Sequence, residues 1–135
     1  ASIPLMQTLI ERGYEVLLET SGGSDIESVP DGVCIIMDLK PPDSGEVERN
    51  LWDNLQHLDA SDELKFVIAS RGDYEWSRDV VRSRGLEGRL NLLFSPAWGL
   101  VEPRLLVDWI IEDGLNVRFQ IQMHKVVWPA AERGV

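Results

Sequence analysis

Along this chain, apolar blocks of strand length alternate with stretches whose apolar residues recur at helical spacing. The alternation constrains the fold more than any other feature, because strands separated by helices pair in parallel through right-handed crossovers. Ile3 to Arg12 carries Leu5, Met6, Leu9 and Ile10 as a helix stripe, with Gly13 as its stop. Tyr14 to Leu18 reads as a short strand, and Val33 to Met37 as a continuous apolar one, the pattern of a strand covered on both faces. Val47 to Leu58 reads as a helix with Leu51, Leu55 and Leu58 on one side. Leu64 to Ala69 is then a strand, Tyr74 to Arg84 a helix stopped by Gly85, and Leu90 to Phe94 a strand. Pro103 to Glu112 follows as a helix with proline in its first turn. Val117 to Met123 closes the series, with Val117, Phe119, Ile121 and Met123 on one face. Between the first two strands, Ser21 to Asp31 fits a loop or a degraded helix. The expected class is α/β with a mainly parallel sheet.

Charge and cysteine usage narrow the function. Acidic residues outnumber basic ones 23 to 13, a net charge of −10, and such a surface repels phosphate backbones. Arg78, Arg82, Arg84 and Arg89 are diluted by Asp79 and Glu87, so they read as a solvated helix face and no nucleic-acid partner is expected. The single cysteine, Cys34, makes neither an internal disulfide nor a cysteine metal site. No apolar run has the length of a membrane span, and a cytoplasmic location is the expectation.

In parallel α/β folds ligands bind at the carboxyl ends of strands, and polar residues gather there. The ends are Glu19-Thr20-Ser21-Gly22, Asp38-Leu39-Lys40-Pro41, Ser70-Arg71, Ser95-Pro96-Ala97-Trp98 and Gln122-Met123-His124-Lys125. Each has a plain structural alternative. Glu19-Thr20-Ser21 would serve as a helix cap, Asp38 and Lys40 as a solvated turn, His124 as a satisfied polar group, and Trp128 as packing. His57, on a helix stretch with no partner, reads as surface. Their coincidence on one rim favours a polar ligand site.

Four of these strings, in order, resemble the motifs of radical S-adenosylmethionine (SAM) enzymes of the 7-carboxy-7-deazaguanine synthase type. Glu19-Thr20-Ser21-Gly22 is similar to that family's strand-end motif, and Asp38-Leu39-Lys40-Pro41-Pro42 to its next SAM-contacting segment. Phe94-Ser95-Pro96 resembles a later SAM-contacting strand end, and Gln120 to Trp128 the closing strand that reaches the substrate. The resemblance runs from about Ile3 to Trp128. It implies an incomplete (β/α) barrel, a 4Fe–4S cluster held by cysteines in an N-terminal segment, SAM on the open iron, and magnesium. The implied reaction is the radical conversion of 6-carboxy-5,6,7,8-tetrahydropterin to 7-carboxy-7-deazaguanine with loss of ammonia, on the route to queuosine.

Carried onto this sequence, the resemblance assigns SAM binding to Glu19, Thr20, Ser21, Asp38, Leu39, Lys40, Phe94, Ser95, Pro96 and Ala97. It assigns substrate contacts to Gln122, His124, Lys125, Trp128 and Pro129. The chemistry is suitable. Carboxylates and hydroxyls accept from the SAM amine and ribose, Lys40 meets a carboxylate as a point charge, and Trp128 offers an aromatic face to a planar heterocycle. With one cysteine the chain does not supply the thiolates of a cluster, and the family's Gly-Gly-Glu-Pro string is absent. Residues 1–135 are therefore expected to be the C-terminal portion of such a barrel, with 117–135 as closing strand and substrate-side tail, inactive alone. The exposed sheet edge then favours self-association, with a homodimer expected. Two other readings remain open: an activating enzyme for a glycyl-radical protein, against which the His-Lys-x-x-Trp tail argues, and a non-catalytic α/β binding module. Three closely spaced cysteines in the reading frame upstream of Ala1 would discriminate against the second.

Overall fold

The computed structural model describes residues 3–21, 26–45 and 52–121. Helix α1 (Ile3–Glu11) leads into β1 (Val16–Ser21) and β2 (Val33–Leu39). Short 3-10 helices at Pro42–Ser44 and Trp52–His57 precede β3 (Glu63–Ile68) and α2 (Arg71–Ser83). Strand β4 (Asn91–Pro96), α3 (Pro103–Asp113) and β5 (Arg118–Phe119) follow. The strands form one five-stranded sheet in the order β1-β2-β3-β4-β5, every neighbouring pair parallel. The class is α/β, as the alternation requires. This sheet is open, and its unbroken sequential order is that of a partial barrel.

Sequential winding puts the helices on one face, and burial follows. Val33, Ile35, Met37 and Leu39 of β2, Leu64, Phe66 and Ile68 of β3, and Leu92 and Phe94 of β4 fill a core with Met6, Tyr74, Val80, Val81, Leu106 and Ile110 from the helices. The alternate residues, including Cys34, Ile36, Asp38, Glu63, Lys65 and Val67, are half-buried on the opposite face. No described helix is long and apolar enough to cross a membrane.

Three sequence expectations shift in the structure, each for a local reason. Strand β1 starts at Val16 rather than Tyr14 because α1 ends through Gly13, at φ +85, and the Tyr14 amide still donates to Leu9 O at 3.0 Å. Within the expected helix 47–58, the described part is a 3-10 helix at Trp52–His57, and 46–51 lie outside the described residues. Its α-helical bonding is diverted. The Asp59 amide, which would reach Leu55 O, donates to Asp62 Oδ2 at 2.9 Å, while Arg89 donates to Leu55 O instead. Buried Asn54 accepts from the Ile26 amide at 3.3 Å. Finally, β5 is assigned to Arg118–Phe119 only, although Gln120 N still donates to Phe94 O at 3.1 Å. Val117, Phe119 and Ile121 are half-buried between exposed Asn116, Arg118 and Gln120, so the expected alternation is present up to 121.

Helices α2 and α3 are tied by Tyr74, whose hydroxyl donates to Asp113 Oδ2 at 2.7 Å and to Trp109 O at 2.9 Å. Arg78 Nη1 donates to the same carboxylate oxygen at 3.2 Å. Burial, and then the Asp113 hydrogen bond and charge, push the Tyr74 phenol above its ordinary value of 10.0. An unfolded chain releases this proton near pH 10 while the folded one keeps it. The contribution is therefore complete below about pH 10 and is lost as pH rises toward the folded value. Tyr74→Phe is expected to cost about 1 kcal/mol at neutral pH and to flatten the alkaline decline. Urea unfolding as a function of pH tests both; an unchanged decline above pH 10 refutes the assignment.

Candidate functional site

On the face away from the helices, the carboxyl halves of β1 and β2 and the middle of β3 bring charged residues side by side. Parallel register aligns Glu19 with Ile36, Ser21 with Asp38, and Asp38 with Lys65. Glu19, Thr20, Ile36, Asp38 and Lys65 line a pocket of about 300 Å³. Asp38 is held from its own segment: Lys40 Nζ lies 2.9 Å from its Oδ2. Its other oxygen, Oδ1, is buried and has no hydrogen-bond partner among the described residues. Buried acceptors are normally satisfied, so this oxygen is the best sign of where a ligand donor belongs.

Strand β4 extends the face. Val67 of β3 is in register with Ser95, and Lys65 with Leu93. Ser95 is 1% exposed, and Leu93 is buried yet stands apart from the helix-side core. Strand alternation sends three expected contact residues the opposite way, the first being Thr20, in register with Met37 of the helix-side core. Leu39 and Phe94 are both fully buried in the helix-side core, Phe94 with its ring 5.1 Å from that of Phe66, so toward this pocket they present backbone alone. At the β4 end Pro96 lines a separate apolar hollow with Trp98 and Leu100, and the Ala97 amide donates to Ile68 O at 2.8 Å. The structure thus brings together Glu19, Asp38 and Lys40, leaves Thr20 at the pocket's edge on the helix-side face of β1, and places Ser95 on the same sheet. Gly22 and the expected substrate contacts Gln122, His124, Lys125, Trp128 and Pro129 lie outside the described residues.

Two residues in this region escaped the sequence reading. Lys65 is a charged residue at the centre of a parallel strand, where an apolar one is normal; its alternation with Leu64 and Phe66 was the available signal. Asp73, 1% exposed, accepts from the Asp43 amide at 2.9 Å through Oδ1 and from the Ala69 amide at 3.0 Å through Oδ2. It thereby fastens the turn after Lys40 to the end of β3 and the start of α2. Its own amide donates to the N-cap Ser70 Oγ at 3.1 Å, so Ser70-x-x-Asp73 is a capping-box spacing that marks it in the sequence.

The donor set fits a small molecule carrying both charges, with Glu19 and Asp38 as acceptors and Lys40 and Lys65 as cations. It does not fit an iron–sulfur cluster or a metal ion. The chain's one cysteine is in β2, and among the described residues no three His, Cys, Asp or Glu side chains gather as metal ligands.

Comparison with known proteins gives a consistent result. The chain is 40% identical to the 7-carboxy-7-deazaguanine synthase of Koribacter versatilis (strain Ellin345), over 98% of this chain and 65% of that protein. It is 39% identical to the enzyme of the same name from Chlorobaculum tepidum, over 97% of this chain and 61% of that protein. The like-named protein of Thermoplasma acidophilum is 36% identical over 94% of this chain and 60% of its own length. The chain spans between 50% and 65% of the length of the curated relatives it matches. No protein-family model matches it, and no solved structure does.

Proposed function

Because this chain is homologous to 7-carboxy-7-deazaguanine synthases over nearly all of its residues, we propose that it is part of an enzyme of that activity. In this reading it is the C-terminal portion of a radical SAM lyase acting on 6-carboxy-5,6,7,8-tetrahydropterin. The observation that carries the site is the buried Asp38 Oδ1, without a partner among the described residues, beside the Lys40 ammonium, within a pocket also lined by Glu19 and Thr20. SAM, when bound, supplies the radical chemistry; what this chain supplies is binding and orientation. Asp38 accepts a hydroxyl or ammonium proton of SAM, Lys40 holds Asp38 in place and faces a carboxylate, and Ser95 offers a buried hydroxyl. The tail from Gln122 to Pro129 takes the pterin. The chain's one cysteine cannot supply the thiolates of an iron–sulfur cluster, and among the described residues no set of three His, Cys, Asp or Glu side chains gathers for a metal ion.

The activity is tested with the enzyme at the full length of its relatives, reconstituted anaerobically and given SAM and the carboxypterin. Formation of 7-carboxy-7-deazaguanine is expected; its absence favours an activating enzyme or a binding module. The site has its own test. Lys40→Ala and Ser95→Ala are each expected to raise the Kd for SAM by about tenfold or more, the scale of one lost hydrogen bond with its partner left unsatisfied. Unchanged affinity in both defeats the assignment.

The expected homodimer belongs to the same proposal. Strand β1 is an edge of the described sheet, and Leu17 on it and Tyr14 before it are 61% and 63% exposed, which supports self-association of residues 1–135 by themselves through that side. Light scattering of residues 1–135 at micromolar concentration decides it, a monomer being the adverse result.

A further inference from the structure

Lys65 occupies the middle of β3 and is in register with Asp38 on one side and Leu93 on the other. Leu64 and Phe66, which flank it, are fully buried among the helix-side residues, so Lys65 faces the pocket and lines it. Its side chain is half-buried. A half-buried ammonium is normally paired. Its nearest carboxylate by register, Asp38, is instead bonded to Lys40 at 2.9 Å, and among the described residues no hydrogen bond or ion pair engages Lys65.

The arrangement of charge is more specific than a count of residues. Asp38 and Lys40 are bonded to one another. Glu19, one strand to one side, and Lys65, one strand to the other, are left as an anion and a cation across the same pocket. Glu19 lies two residues before Ser21, the β1 residue in the row of Asp38 and Lys65, so two strand spacings of about 4.8 Å and a rise of about 3.3 Å per residue set the two positions roughly 12 Å apart on the diagonal. A pocket of this pattern is complementary to a small ligand with a cationic group at one end and a carboxylate at the other. Lys65 is half-buried, so attraction at its end exceeds the value on an open surface, while Glu19 is exposed.

We propose that Lys65 is the anion anchor of this pocket, binding the carboxylate of a small ligand that carries both charges. This rests on the function proposed above, in which SAM offers such a carboxylate beside its ammonium and sulfonium, while the carboxypterin offers a carboxylate through its ring substituent without a fixed cation. Lysine suits the role because its ammonium donates three hydrogen bonds from a compact charge and accepts none.

The test measures equilibrium binding, not turnover, in the full-length enzyme. The probes are SAM and decarboxylated SAM, and the carboxypterin and the same reduced pterin without its carboxylate. The proteins are the unaltered enzyme, Lys65→Met and Lys65→Arg. In Lys65→Met one carboxylated probe is expected to bind about 10- to 100-fold more weakly, the range of a charge-assisted hydrogen bond. Its decarboxylated counterpart should bind that variant as it binds the unaltered enzyme, and the pair showing this difference identifies the source of the carboxylate. Lys65→Arg, which keeps the charge, should recover most of the loss. A Lys65→Met penalty equal for both members of each pair, or no penalty, overturns the assignment and leaves the enzyme reading intact. Failure of the unaltered enzyme to bind SAM and the carboxypterin overturns the enzyme reading and the anchor together.

Discussion

Asp73→Ala is expected to lower the unfolding free energy by about 2–5 kcal/mol, because it leaves two amide donors without acceptors in a buried place. Those donors are Asp43 N and Ala69 N, and the side chain that serves them is 1% exposed. The position adds to the effect. Asp73 is in the first turn of α2, where the helix dipole favours an anion. Asp73→Asn keeps one acceptor oxygen and should lose roughly half as much. The consequence reaches the pocket as well, since Asp43 lies three residues after Lys40 in the turn that Asp73 secures. Urea unfolding of both variants gives the comparison, and a loss below about 1 kcal/mol for the alanine variant contradicts the fastening role.

Phe66→Ala should cost about 3–5 kcal/mol through the cavity it leaves. Phe66 is on the central strand, fully buried, with its ring 5.1 Å from that of Phe94 and 6.5 Å from that of Trp76. The same position also separates the two faces of β3: removing Phe66 loosens the helix side, while Lys65 beside it serves the other. Phe66→Leu, closer in volume, should lose less than half as much. Equal losses for alanine and leucine would mean that ring packing is not what this strand contributes.

Much of the architecture is legible in one dimension because its cause is local. Apolar residues at helical spacing in Tyr74 to Val81 and at strand spacing in Leu64 to Ile68 bury themselves whatever their neighbours are, so α2 and β3 form where the pattern places them. The stretch at Trp52–His57 is the counterexample. Its pattern is helical, yet nearby Asp62 takes the Asp59 amide and Arg89, 34 residues on, takes Leu55 O, while Asn54 is held by the distant Ile26 amide. No local rule reports partners that far away.

The site divides along the same line. Glu19, Thr20, Asp38, Lys40 and Ser95 were recognisable because strand ends in parallel sheets collect ligand-binding residues and because their motifs resemble a known family. Lys65 and Asp73 were not, since their meaning depends on parallel register and on loops meeting in space.

By itself, then, the sequence determined that helices and strands alternate, that the strands run parallel, and that polar groups stand at one end of the sheet. Each follows from side-chain spacing along the chain. Only the tertiary structure decided which face each of those groups looks toward and which of them meet. Strand alternation turns Leu39 and Phe94 into the core while Asp38 and Ser95 go the other way. Register, a relation between separate strands, then sets Lys65 beside Asp38.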